Sequence, residues 1–291
     1  AKYNEVAREL LDDNNGFYKA QVFLNRHHQL LMSMVNQKFS DKEERIIMAE
    51  GELVSTNLFQ LFMEENSNSV LLSALDFMHI DQYGEPNTNV IKERLQKILA
   101  NHQAIDTFIT QGFICRNDKG EIDNLKRGGS DYSASLIGSA VDAKQIQIWT
   151  DIDGMHNNDP RFVDHTFSVR EMSFDEAAEL AYFGAKILHP ASIIPAREKN
   201  IPVLLKNTFK PECKGTLIHN KAVPQKIRAI AAKDNITAIK IKSYRMLMAY
   251  GFLKKVFEVF EQNKTSIDMI TTSEVAVSLT CLLYTSPSPR D

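Results

Sequence analysis

Three short segments in a fixed order constrain this chain more than anything else in it. They are Arg127-Gly-Gly-Ser-Asp131, then Thr150-Asp-Ile-Asp-Gly154 running into Asp159-Pro-Arg161, then Phe183-Gly-Ala-Lys-Ile-Leu-His-Pro190. A glycine pair ahead of a helix lets backbone amides approach an anion. An acidic turn after an apolar strand lies where nucleotides bind in open α/β sheets. A lysine beside a glycine can set a cation against a phosphate. Each segment alone is weak. The ordered set specifies an α/β chain with a site for a phosphorylated nucleotide and a small carboxylic acid.

The flanking patterns agree. Residues 1–63 read as helices, with Val22, Phe23, Leu30, Leu31 and Met34 at helical spacing and polar residues between them. A further amphipathic helix spans 88–100, and Ile105 to Ile114 is an apolar, β-prone run ending in the turn Asn117-Asp-Lys-Gly120. Asp131 to Ala140 reads as a helix and Gln145 to Trp149 as a strand. The polar loop 151–168 is long enough to suggest function. Ser173-Phe-Asp-Glu176 is a capping box that opens the next helix. Ile193 to Lys199 is helical and Ile201 to Leu205 is a strand. This alternation argues for a mainly parallel sheet with helices on both faces. After a connector with Pro211, Gly215 and Pro224 the pattern restarts: strands at Ile227–Ala231 and Ile236–Ile241, a helix at Met248–Phe260, and strands at Ile267–Ile270 and Glu274–Leu279. The 291 residues therefore suggest two domains.

Composition removes other classes. A net charge of −3 gives no electrostatic case for nucleic acid or a membrane surface, and no apolar run approaches the roughly 20 residues that span a bilayer. Cys115, Cys213 and Cys281 are too few and too scattered for a disulfide framework or a zinc site, which fits a reducing cytoplasm. Asp151-Ile-Asp153-Gly154 fails the spacing of a calcium loop, and no metal site is expected. The final segment changes composition abruptly at Cys281. Two prolines in three residues, Pro287 and Pro289, would end the preceding strand, so 281–291 is expected to be a non-native tail.

Several residues carry candidate chemistry. Arg127 can clamp a carboxylate through two donors, with Gly128 and Gly129 permitting close approach and Ser130 donating; a capped helix start is the other reading. Glu52, beside Gly51, could hold an ammonium group or be a solvated glutamate on a helix face. Lys186 could meet a phosphate or point to solvent. Gly251, near a helix start, would admit a carboxylate to backbone amides, while Asp268 and Glu274 could hold an amine. His27 and His28 diverge on their helix and cannot share a metal.

Taken together these residues resemble the aspartokinase family. The resemblance rests on Lys126-Arg-Gly-Gly-Ser-Asp-Tyr-Ser133, Gln147-Ile-Trp-Thr-Asp-Ile-Asp-Gly154, Asn158-Asp-Pro-Arg161, Phe174-Asp-Glu-Ala-Ala-Glu-Leu-Ala-Tyr-Phe-Gly-Ala-Lys-Ile-Leu-His-Pro190 and Pro195-Ala-Arg-Glu-Lys-Asn-Ile-Pro202. Ile270-Thr-Thr-Ser-Glu-Val275 resembles the family's regulatory ACT domain. The resemblance implies an amino-acid-kinase fold over 1–220, lacking its N-terminal phosphate-binding segment, and a partial, ferredoxin-like α+β ACT domain over 221–280.

It also implies phosphoryl transfer from ATP, with Mg2+, to the side-chain carboxylate of L-aspartate, giving 4-phospho-L-aspartate. By that resemblance Lys186 and Asp131 are catalytic. Glu52, Arg127, Gly128, Gly129 and Ser130 bind aspartate. Thr150, Asp151, His156, Arg161, Lys186 and Ile187 line the ATP site, with His156 where the family has a tyrosine. Met246, Gly251, Phe252, Leu253, Ile267, Asp268, Thr272, Ser273 and Glu274 form the effector site. The lysine-sensitive, single-function branch is implied, with lysine favoured over threonine as effector and a homodimer through ACT domains. Without the family's Lys-Phe-Gly-Gly loop, the chain by itself is expected to have little or no kinase activity. A non-catalytic amino-acid sensor and another carboxylate kinase of the same fold are the competing readings.

Overall fold

A computed structural model of the chain describes residues 2–12, 14–35, 39–126, 128–183, 188–222, 227–232, 234–242 and 250–282. They divide into two compact units, Ala1–Ile230 and Ala231–Asp291.

The first unit opens with helices α1 (Lys2–Leu10), α2 (Asn14–Met34) and α3 (Asp41–Asn66). Their apolar stripes meet in a cluster of Ala7, Leu11, Ala20, Leu24, Val54 and Leu58. Ser40 caps α3: its hydroxyl accepts from the Lys42 N–H, and Glu43 reaches back to the Ser40 N–H at 3.0 Å. Strand β1 (Ser69–Leu72) pairs in parallel with β2 (Thr107–Thr110), across the short helix α4 (Ala74–Phe77) and α5 (Thr88–Ala100). A hairpin of β3 (Ile114–Arg116) and β4 (Ile122–Asn124) leads to α6 (Gly129–Ala140). Leu72, Phe77, Met78, Ile91, Leu95, Ile114, Leu125 and Leu136 fill the core between these elements.

A second sheet follows in the order β5 (Ile146–Thr150), β7 (Val203–Asn207), β8 (Thr216–Ile218), β6 (Glu171–Met172). The β5–β7 and β6–β8 pairs are parallel. β7 and β8 are antiparallel because the loop 208–215 holds no crossover helix. Gly215 turns that loop at φ 72, where a Cβ would stand 1.9 Å from the Leu205 carbonyl. Helix α7 (Phe174–Phe183) starts at the expected capping box: Glu176 accepts from the Ser173 N–H at 2.8 Å and donates its own N–H to the Ser173 hydroxyl at 3.1 Å. A 3-10 turn (Pro190–Ile193) and α8 (Ile194–Glu198) return the chain to β7.

The second unit is β9 (Ile236–Lys242), α9 (Phe252–Gln262), β10 (Ile267–Thr272) and β11 (Ala276–Leu282), with sheet order β10-β11-β9 and both pairings antiparallel. This is a split β-α-β arrangement. Val256 of α9 packs on Val277 and Leu279, with Ile241, Phe252, Phe260 and Ile267 around them. One expectation is corrected here. No strand forms at 227–232: Ile227 and Ile230 are exposed, and the segment spends its polar groups elsewhere. β11 runs to Leu282, with Cys281 fully buried opposite Thr237; 283–291 lie outside the described residues.

Candidate active site

Glu52 lies on α3, twelve residues into the helix that Ser40 caps. It is half-buried, and burial pushes its carboxyl above the usual carboxylate range, opposed by a hydrogen bond from the Gly112 N–H. Gly112 belongs to the turn between β2 and β3. A Cβ there would stand 3.1 Å from Cα, Cβ and Oγ of Ser130, so the turn, Glu52 and the start of α6 converge. Phe113 holds φ 66, and its N–H donates to the Ser133 hydroxyl at 3.0 Å, which donates in turn to the Gly129 carbonyl at 2.9 Å. The Gly129 Cα sits so close to the Phe113 ring that a Cβ would meet it at 2.7 Å. Gly128 opens α6 in the left-handed region, φ 69, with a would-be Cβ 2.6 Å from the Cβ of His189. That conformation and that spacing both select glycine.

The amide end of α6 therefore faces this junction, where the helix dipole favours an anion. Asp131, in the first turn, is only partly exposed, and burial pushes its carboxyl up to about 6. Arg127 lies outside the described residues. Gln111 makes the junction rigid. It is 1% exposed; its carbonyl accepts from the Ala74 N–H at 2.8 Å, and its amide donates to the Thr56 hydroxyl at 2.9 Å. Thr56 donates to the carbonyl of Glu52 itself at 2.7 Å.

The second group lies at the carboxyl end of β5. The Thr150 hydroxyl donates to Asp151 at 3.0 Å, and the buried Asn207 amide holds the Asp151 carbonyl at 3.1 Å. In the following loop His156 bonds Asp153 at 2.6 Å and the Thr166 hydroxyl at 2.8 Å, and the imidazole holds the Asp153 carboxyl below its usual range. Gly154, φ 123, brings the loop against Thr216, whose hydroxyl accepts from the Met155 N–H at 2.8 Å. Arg161 forks onto Asp159 at 3.0 and 2.5 Å and is otherwise exposed, so this guanidinium is committed within the loop. Lys186 and Ile187 lie outside the described residues. His189, just after them, accepts from the Ala191 N–H at its Nδ1 and packs on Gly128. Among the described residues no group of three His, Cys, Asp or Glu side chains is arranged to hold a metal. No described helix is long and apolar enough to cross a membrane.

In the second unit Gly251, φ 80, opens α9 with nothing within 4 Å of a would-be Cβ, followed by Phe252 and Leu253. Ile267 and Asp268 start β10, while Thr272, Ser273 and Glu274 form its far end and the turn into β11. The connection 263–266 reverses the chain, so Ile267 and Asp268 sit at the opposite end of α9 from Gly251, about 16 Å along the helix axis. Met246 lies outside the described residues. The residues that the motifs did not disclose are Gln111, Gly112, Phe113 and Thr56, together with a place for His189. The only local signal was a Gln-Gly pair closing the apolar run before Ile114.

Comparison with known proteins follows the same division. The chain spans about half the length of the curated relatives it matches. It is 39% identical over 250 residues to the lysine-sensitive aspartokinase 3 of Escherichia coli (strain K12), covering 84% of this chain and 56% of that protein. It is 37% identical over 273 residues to the chloroplastic aspartokinase 1 of Arabidopsis thaliana, covering 89% and 47%. The crystal structure of E. coli aspartokinase III in complex with aspartate and ADP superposes with a TM-score of 0.77 at 32% identity, over 98% of this chain and 70% of that one. The same enzyme with lysine and aspartate gives 0.75 at 34%, over 91% and 61%. The family model described as the amino acid kinase family matches residues 6–207, a span that holds both groups just described and ends with β7. On that match, and on a fold that sets a glycine-opened helix beside the carboxyl end of a parallel strand, the chain belongs to the amino acid kinase family.

Proposed function

We propose that this chain is part of an aspartate kinase, which transfers the γ-phosphoryl group of ATP to the side-chain carboxylate of L-aspartate. The observation that carries the reading is the convergence of Glu52, the Gly112 turn and the amide end of α6 at Gly128–Ser130. An acid beside an anion-accepting helix end suits the ammonium and α-carboxylate of an amino acid. It leaves the substrate's side chain free to face the nucleotide group at 150–161. Similarity to a kinase solved with aspartate and ADP points to the same pair of substrates.

The nucleophile is a carboxylate, already ionised at neutral pH, so no general base is required. One of its oxygens attacks the γ-phosphorus in line, and the bond to the bridging oxygen breaks to release ADP. Catalysis is positioning and charge neutralisation. Lys186 and Arg127 are assigned the cationic roles, on the transferring phosphate and the α-carboxylate. Magnesium would be brought in as MgATP and would supply charge neutralisation on the phosphates. Asp131 orients the reacting groups. Thr150, Asp151, His156 and Ile187 are assigned to the nucleotide.

For the second unit we assign an ACT regulatory role with lysine as effector. An amino acid cannot reach both Gly251 and Asp268 within one chain, since they lie a helix length apart, so a second copy supplying one end supports a homodimer. The test is aspartate-dependent ADP release with MgATP by the complete reading frame that encodes this chain, with and without lysine. Turnover lost in Lys186→Ala, together with an aspartate KM raised in Glu52→Gln, is expected. Saturable lysine binding with no turnover on any carboxylate would replace the kinase reading with a sensor.

A further inference from the structure

The segment Ile227–Ile230 is the last of the first unit, and Ala231 opens the second. Its isoleucine side chains are exposed, 76% at Ile227 and 60% at Ile230, so apolar burial does not hold it in place. Two polar anchors do. The Arg228 side chain is 8% exposed; its Nε donates to Glu176 at 2.9 Å, and its Nη1 donates to the carbonyl of Glu171. The Ile230 N–H donates to the carbonyl of Asn157 at 2.9 Å.

The two anchors land on two different elements, β6 with α7 and the loop 151–168, which flank residues assigned above to the nucleotide. Glu176 is the residue that caps α7, so one carboxylate serves both the Ser173 N–H and Arg228. α7 ends at Phe183, three residues before Lys186 in the sequence. Asn157 closes the neck of the loop 151–168. Its side chain accepts from the Phe167 N–H at 2.9 Å, and its own N–H donates to the Phe167 carbonyl at 3.1 Å. One short stretch thus ties the helix leading to Lys186 to the loop bearing His156 and Arg161. A buried guanidinium that satisfies both a carboxylate and a main-chain carbonyl is costly to leave half-paired, so the stretch has one preferred seat.

We propose that Arg228, with the backbone of Ile230, is a positioning clamp that holds these two elements in register for the nucleotide, and that it lies on the covalent route by which the second unit acts on that site. This rests on the kinase reading above. Arg228 touches no substrate. Its loss should therefore loosen nucleotide binding and leave the aspartate pocket, which stands on α3, the Gly112 turn and α6, as it was.

The experiment compares wild type, Arg228→Gln and Ile230→Pro in the full-length protein. The second variant removes the N–H at an exposed position, fixing φ there as well, and provides a second way to break the clamp should the first variant misfold. MgADP affinity is measured by titration calorimetry, and KM separately for ATP and aspartate. The clamp predicts an MgADP Kd and an ATP KM raised about tenfold in each variant, the loss of one charge-assisted or main-chain bond, with the aspartate KM within about twofold of wild type. It also predicts that the lysine concentration for half-inhibition shifts in both. Unchanged MgADP affinity in both folded variants overturns the proposal. So does a parallel rise in both KM values, which marks a merely structural arginine. A wild-type protein that binds no MgADP brings down the kinase reading itself, and the clamp with it.

Discussion

At the scale of single residues the site is governed by two unlike demands, ionisation and space. Asp131 shows the first. Its carboxyl is pushed up to about 6 by burial, from an ordinary value of 3.8. The folded state therefore binds more protons than the unfolded state between pH 4 and pH 6, and stability falls as pH rises through that window. Above it the buried charge costs about 1–2 kcal/mol once partial exposure is allowed for. Asp131→Asn removes the charge and keeps the shape. It should raise the melting temperature of the first unit by about 2–6 °C at pH 7.5, lose that advantage at pH 4, and lose turnover at both. A variant no more stable than wild type at pH 7.5 would show that the ionised carboxylate has a compensating partner. Gly128 shows the second demand. Alanine there must adopt φ 69 and move His189, whose Cβ lies 2.6 Å from the new methyl group. A displacement near 1 Å at a substrate-holding turn costs about a hundredfold in kcat/KM. Gly128→Ala should show that loss for aspartate while the circular dichroism spectrum is unchanged.

At the scale of elements, what could be read from the sequence was what repeats locally. The helices at 88–100 and after Ser173 announced themselves by periodicity and by a capping box, and the structure places them there. β1 and β8 did not announce themselves, because four and three residues are too few to show a period of two. The expected strand at Ile227–Ala231 had the right composition. It fails because the Ile230 N–H bonds to the Asn157 carbonyl in a loop, and it is the Arg228 side chain, not a ladder of backbone groups, that reaches Glu171 and Glu176. The glycine-rich start of α6 was visible, but its partner, the Gly112 turn, comes from a separate stretch of chain, and only folding brings Ser130 against it. Gln111 is the link that sequence patterns hide most completely, a buried amide holding α4 and α3 against β2. Gln111→Leu keeps the volume and strands the Ala74 N–H, so it should cost about 1–3 kcal/mol of stability. By releasing Thr56 from Gln111 and shifting the Gly112 N–H away from Glu52, it should also raise the KM for aspartate and leave that for ATP unchanged. Equal rises in both would place Gln111 in the general core and not in the substrate wall.

At the scale of the whole molecule, chemistry and regulation are assigned to units with separate cores. The cluster of Val256, Val277 and Leu279 draws every residue, including its partly buried neighbours, from 241–279, whereas two clusters of the first unit draw theirs from residues 7–140. So small a core supplies little stability, and one large truncation can exhaust it. Leu279 is 1% exposed, in the central strand of the three. Leu279→Ala there should cost about 2–5 kcal/mol. The consequence should be local: amide exchange should accelerate through 236–282, while 107–150 keep their wild-type protection. Basal aspartate-dependent turnover should then survive with lysine inhibition lost, because the aspartate wall owes nothing to the second core. If instead protection falls in both units together, the two fold as one cooperative body. In that case the route through Arg228 would be only one of several by which the second unit is felt at the proposed nucleotide site.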